Sequence, residues 1–187
     1  MNKLLKSLIL FAVVALSFSS VSVKAQAFGK GDLVLNGGIG FGSVYGYDYG
    51  VGGASMWPTI FASGELGIVK IKEIGVISAG GEMAFRHISI AGIDYHSNEF
   101  YIGPRGAFHL TMLKVENLDV YGGVSFGLRF YSEPTYVGVN NYGRNTFTSA
   151  YGGLFVGGRY YFSEGFGVFS ELSYDITIFK LGVVFKF

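Results

Sequence analysis

The chain has 187 residues, enough for one domain, with 30 Gly, 18 Phe and 13 Tyr but no Cys. The absence of Cys excludes a disulfide framework, a thiol nucleophile, a Cys-based zinc site and a lipidated lipoprotein anchor. The formal net charge is +1, and glycine stands at more than twice the usual ~7%, a composition that disfavours helices and suits curved, closely packed strands.

The first 25 residues read as a secretory signal peptide. Met1 to Lys6 carries Lys3 and Lys6 and no acid, Ser7 to Leu16 is apolar, and Val23-Lys24-Ala25 closes the segment with small residues. Its apolar core is short of the ~20 residues that a membrane-spanning helix requires. Cleavage is expected after Ala25, leaving residues 26–187 as the folded domain. Removing Lys3, Lys6 and Lys24 leaves 11 basic and 13 acidic residues. The basic balance therefore belongs to the leader, and nothing points to a nucleic-acid partner.

Beyond residue 25 the sequence alternates with period two, the signature of strands whose successive side chains point to opposite faces. The pattern predicts eight strands, near 31–42, 58–69, 75–87, 98–113, 118–131, 148–162, 166–174 and 177–187. Short connections are expected at Lys70–Ile74, Lys114–Asn117 and Ser163–Gly165, and long ones at Ser43–Trp57, Ile88–Ser97 and Ser132–Phe147. The connection at Asp175–Ile176 breaks the trend by being tight. Alternating long and short connections fit an up-and-down β-barrel with loops at one end and turns at the other.

Alternation does not say which face lies inside. A soluble, lipocalin-like carrier would turn the apolar face inward; a membrane barrel turns it to lipid. Here the apolar rows are free of charge at mid-strand, as in Ile60, Ala62, Gly64, Leu66, Ile68 and in Ile77, Ala79, Gly81, Met83, Phe85. The opposite rows mix Gly and Ser with charges of both signs: Glu65, Glu82, Arg86, Glu99, Arg105, Asp119, Arg129, Arg159, Glu171, Lys180 and Lys186. Such rows suit a narrow, filled lumen in which opposite charges pair. Trp57, Tyr101, Phe130, Tyr131, Tyr160, Tyr161, Phe162 and Tyr174 gather near strand ends, where aromatic girdles meet membrane interfaces. The expected fold class is all-β, an eight-stranded antiparallel transmembrane barrel.

On these features the chain resembles the small outer-membrane β-barrels of Gram-negative bacteria, the OmpA membrane domain and OmpX-like proteins. The resemblance rests on the signal ending Val23-Lys24-Ala25, the eight alternating segments, and the terminal strand LGVVFKF. It implies an outer-membrane location. It also implies that Leu181, Val183, Phe185 and Phe187 form the signal read by the barrel-assembly machinery. Because the chain stops at Phe187, no peptidoglycan-binding module is expected.

The chemistry-bearing residues are few. His87-Ile88-Ser89, with Glu99 across the following loop, has the residue types of a serine hydrolase: a His to activate the Ser and a carboxylate to orient it. The spacing is similar to the His-x-Ser motif of outer-membrane lipid A deacylases. Equally, His87 and Ser89 are polar residues where a strand leaves the lipid, and Glu99 falls on the inward row. His109 is expected to meet a carboxylate inside the barrel. No two of the three His share ligand spacing, so no metal is expected, and no cofactor. GGIGFG at 37–42 lacks the helix and the Lys-Ser/Thr of a phosphate loop. The Tyr- and Gly-rich loops are candidates for an extracellular ligand. The leading expectation is a non-enzymatic structural or surface-interaction barrel in outer-membrane lipid. A small-solute channel and an envelope-lipid hydrolase are the alternatives.

Overall fold

The computed structural model describes residues 27–44, 54–90, 95–136 and 142–187. The leader expected over 1–25 and the centres of the three long loops lie outside the described residues. The strands are β1 (Leu33–Phe41), β2 (Ala54–Met56), β3 (Thr59–Ile71), β4 (Gly75–Ile90), β5 (Tyr95–Leu110), β6 (Leu118–Tyr136), β7 (Tyr142–Tyr161), β8 (Phe166–Ser173) and β9 (Phe179–Lys186). All except β2 join in chain order into an antiparallel ring, closed where β1 pairs with β9, so that Val34 faces Lys186 and Phe41 faces Phe179. The result is a closed, eight-stranded up-and-down barrel.

The short β2 lies on β4 as an outward continuation of β3, with Ala54 opposite Ile90. The break between them falls at Trp57-Pro58. Pro58 has no N–H to give the ladder, while the Trp57 amide still reaches the His87 carbonyl at 3.2 Å.

The eight expected segments are present, but two expected loops are largely strand. Residues 88–90 with 95–97, and 132–136 with 142–147, extend the β4–β5 and β6–β7 hairpins. The reason is physical. Alternating polarity marks only the part of a strand with one apolar face, whereas the backbone ladder continues through Ser132, Asn145 and Thr146, where the sequence no longer alternates in polarity. At the other end β5 stops early, because Thr111–Leu113 turns as a 3-10 helix ending at Lys114 with φ 49°.

The connection between β8 and β9 folds into the barrel. Asp175, Ile176 and Thr177 are completely buried. The Tyr174 amide donates to the Leu154 carbonyl at 2.8 Å, and inward-facing Gly153 lies directly beneath. A Cβ at Gly153 would overlap the Tyr174 carbonyl oxygen. Because that clash is with backbone, no rotamer relieves it. Gly153→Ala is expected to destabilise the barrel by about 1–3 kcal/mol, seen as a lower midpoint in urea titrations of the folded protein.

Candidate functional site: the charged interior

The same parity that places apolar side chains outside places most charged ones inside. Glu65 on β3, Glu82 and Arg86 on β4, Glu99 and Arg105 on β5, Asp119 and Arg129 on β6, Arg159 on β7, Glu171 on β8 and Lys180 on β9 are all buried. Lys186 is half-buried at the rim, its Nζ 3.4 Å from the Ala27 carbonyl.

These groups form three layers. In the first, near the short-turn end, Arg159 reaches Glu65 and Asp119 at 3.0 Å each, and its Nε donates to the Asn36 side-chain Oδ1 at 3.1 Å. His109 joins the layer with Nδ1 2.9 Å from Asp119 and Nε2 3.2 Å from Glu65. The expected His–carboxylate contact is thus made twice. Phe28, almost fully buried, stacks on the His109 ring at 3.9 Å, so the segment entering the barrel closes over this layer.

The second layer is built on Arg105. It contacts Glu65 at 2.9 Å, Glu82 at 3.3 Å and Glu171 at 2.9 Å, with its guanidinium 4.0 Å from the Phe155 ring centre. Since β5 and β8 are three strands apart around the ring, one side chain crosses the interior. Lys180 binds Glu171 at 2.9 Å and Asp175 at 2.8 Å. Ser125 donates to Asp175 from β6 at 3.1 Å, and Tyr151 donates to Glu82 at 3.1 Å. The third layer lies towards the long hairpins, where Arg86 and Arg129 share Glu99 and the Tyr101 hydroxyl donates to Glu99 at 2.6 Å.

A buried carboxylate without a partner is expensive, and partners with good geometry offset that penalty. Each buried acid described here meets at least one cationic group. What the arrangement achieves chemically is mutual neutralisation: its carboxylates are held by cations.

Three of the interior groups escape a reading based on strands. Asp175 lies in a turn, where alternation has nothing to say. Tyr101 and Tyr161, expected at the membrane interfaces, are buried inside instead. Their parity gives the reason. Tyr101 shares its face with Glu99, and Tyr161 with Arg159, so position in the strand overrides the preference of the ring. Tyr131 is half-buried, stacked on Phe147 at 5.4 Å and lying under Arg129 at 4.3 Å. Trp57, Tyr160, Phe162 and Tyr174 point outward and are well exposed, while Phe130 is half-buried.

The candidate hydrolase residues are not brought together. His87 Nδ1 lies 2.7 Å from Asn98 Oδ1, not against an acid, and its ring packs against Trp57 and His96. Ser89 stands opposite His96 in the ladder. Glu99 faces the other way, buried against Arg86. Neighbouring strand positions point to opposite sides of the wall, so the carboxylate and the His-Ser pair are on different faces. Among the described residues no group of three or more His, Asp or Glu side chains could hold a metal ion.

No protein-family model matches this sequence. No curated protein matches it either. The similar solved structures include the following two. The N-terminal β-barrel domain of Pseudomonas aeruginosa OprF is 15% identical, with a TM-score of 0.45, over 86% of this chain and 100% of that one. The attachment invasion locus protein Ail of Yersinia pestis is 8% identical, with a TM-score of 0.52, over 85% of this chain and 100% of that one. What this chain shares with Ail is its fold, the eight-stranded antiparallel barrel.

Proposed function

We propose that the chain is a Gram-negative outer-membrane β-barrel protein with a closed interior and a non-enzymatic structural or surface-interaction role. The observation that carries this reading is the inverted distribution of polarity. Arg86, Arg159 and Lys180 are fully buried, while Ile60, Phe126 and Leu154 are each at least 60% exposed. Only a solvent of lipid makes that arrangement favourable, since water would leave the apolar wall as one large exposed patch.

The remaining parts of the proposal follow. Residues 1–25 direct export. Leu181, Phe185 and Phe187 point outward on the last strand, exposed to the machinery that inserts barrels. The three charged layers, with the buried turn at Asp175 and Phe28 at the opposite end, leave the interior to the protein's own side chains, which favours an anchor over a pore. The long Tyr- and Gly-rich hairpins then form the surface that meets an external ligand. The name of Ail records attachment for that protein, and a role of this kind fits a barrel whose interior is occupied.

The test is folding itself. The chain without residues 1–25 is expected to become β-rich in detergent and to migrate differently on a gel before and after boiling. It is expected to remain unfolded or insoluble without detergent. A monodisperse, β-rich protein in plain buffer would overturn the membrane reading.

A further inference from the structure

Two of the chain's three histidines meet on the outer face of the β4–β5 hairpin. His87 and His96 are far enough apart in the sequence that their spacing alone suggests no ligand pair. The ladder brings them together. His87 faces Asn98 and Ser89 faces His96, so the two histidines are diagonal neighbours on one side of the wall. Their ring centres are 5.8 Å apart and their planes lie 19° from parallel. His87 is half-buried and His96 is exposed, beyond the apolar row that runs to Phe85. An ion in water can therefore reach the pair. The third histidine, His109, is fully buried in the interior.

The His87 ring is already oriented. Its Nδ1 lies 2.7 Å from Asn98 Oδ1. A carboxamide oxygen only accepts, so Nδ1 carries the proton and the neutral ring keeps its lone pair on Nε2. Metal sites fix the tautomer and direction of a histidine ligand in the same way, by giving its second nitrogen an oxygen partner. With metal–nitrogen bonds of about 2.1 Å, two imidazoles on one ion keep their ring centres roughly 5–6 Å apart. The observed separation already has that size. Bringing both nitrogens onto one ion takes turns about χ2, a broad torsion in His, and no movement of the strands.

We propose that His87 and His96 bind a divalent first-row transition ion, with Asn98 as the positioning residue for His87. Imidazole donors suit Cu2+, Ni2+ and Zn2+, and Cu2+ binds such donors most tightly. The protein fills two coordination positions and leaves the others to water or to a donor on an external ligand. The bound ion ties β4 to β5 at the root of their loop.

Trp57 supplies the readout. It is the chain's single Trp. Its amide donates to the His87 carbonyl at 3.2 Å, and its ring centre lies 6.5 Å from that of His87. The chain from residue 26, carrying no affinity tag, is folded in detergent and titrated with CuCl2. Saturable quenching of the Trp57 emission is expected, reversed by excess Zn2+, which competes for imidazole and does not quench. His87→Ala and His96→Ala are each expected to raise the midpoint at least about tenfold, and Asn98→Ala about tenfold, with the heat-dependent gel shift unchanged. Quenching that grows linearly with Cu2+ and never saturates overturns the site. A midpoint unmoved by either histidine variant overturns the pair, and one unmoved by Asn98→Ala overturns the positioning role. Should a variant lose the gel shift, electron paramagnetic resonance of the Cu2+-loaded wild type decides alone. Coupling to two imidazole nitrogens supports the site, and coupling to one or none overturns it.

Discussion

Arg159→Leu is expected to destabilise the barrel by about 3–5 kcal/mol. Arg159 is fully buried and holds Glu65, Asp119 and Asn36 at once, with its guanidinium 4.2 Å from the Tyr121 ring centre. Leucine fills part of the volume but leaves Asp119 with His109 alone and Glu65 without one of its cations. The penalty is that of stranded charge, not of a cavity. Arg159→Lys keeps the charge but lacks the fork that meets several acceptors in one plane, so an intermediate loss is expected. Reversible urea titration in lipid vesicles measures both. A loss below about 1 kcal/mol for the leucine variant would show that the layer is not what holds the interior together.

Met83→Arg tests the outer wall. Met83 sits in the middle of the outward row of β4, half exposed, between Gly81 and Phe85. In lipid an Arg at mid-depth costs about 2–4 kcal/mol, falling to about 0–1 near the interfaces. Ser89→Arg, further along the same row, is therefore expected to be nearly silent. The two variants have the same chemistry and differ only in depth. A barrel standing in water would treat them alike, so equal and small effects would count against the membrane placement.

Most of the fold was legible because a barrel strand writes its two environments into alternate residues. Rows such as Ile77 to Phe85 and Glu82 to Arg86 could be sorted into outside and inside without any knowledge of closure. The interior charges on the strands were legible for the same reason, since each lies within an alternating stretch. Legibility failed where this coupling fails. Beyond Ser132 the sequence Ser-Glu-Pro-Thr-Tyr no longer alternates in polarity, so backbone pairing continued with no trace in the pattern. Asp175 occupies a turn, where no face is defined, yet it is buried and bound to Lys180. Tyr101 and Tyr161 show a preference overruled, because a ring suited to the interface is drawn inside by its place beside Glu99 or Arg159. The His87, Ser89 and Glu99 grouping was legible only as spacing. The ladder puts Glu99 opposite Arg86, and a one-residue offset decides the face.

The seam between β1 and β9 has a consequence in time. Among the described residues, every other backbone pairing of the ring joins strands that follow one another in the chain, but this one joins Leu35 to Phe185 and Ile39 to Leu181. During synthesis, the earlier strands leave two raw edges that nothing already made can cover, and such edges are templates for wrong pairing. Contacts so distant in sequence are also slow to form. The barrel therefore stays an open ribbon until β9 is in place, and topology imposes the order of events: closing comes last.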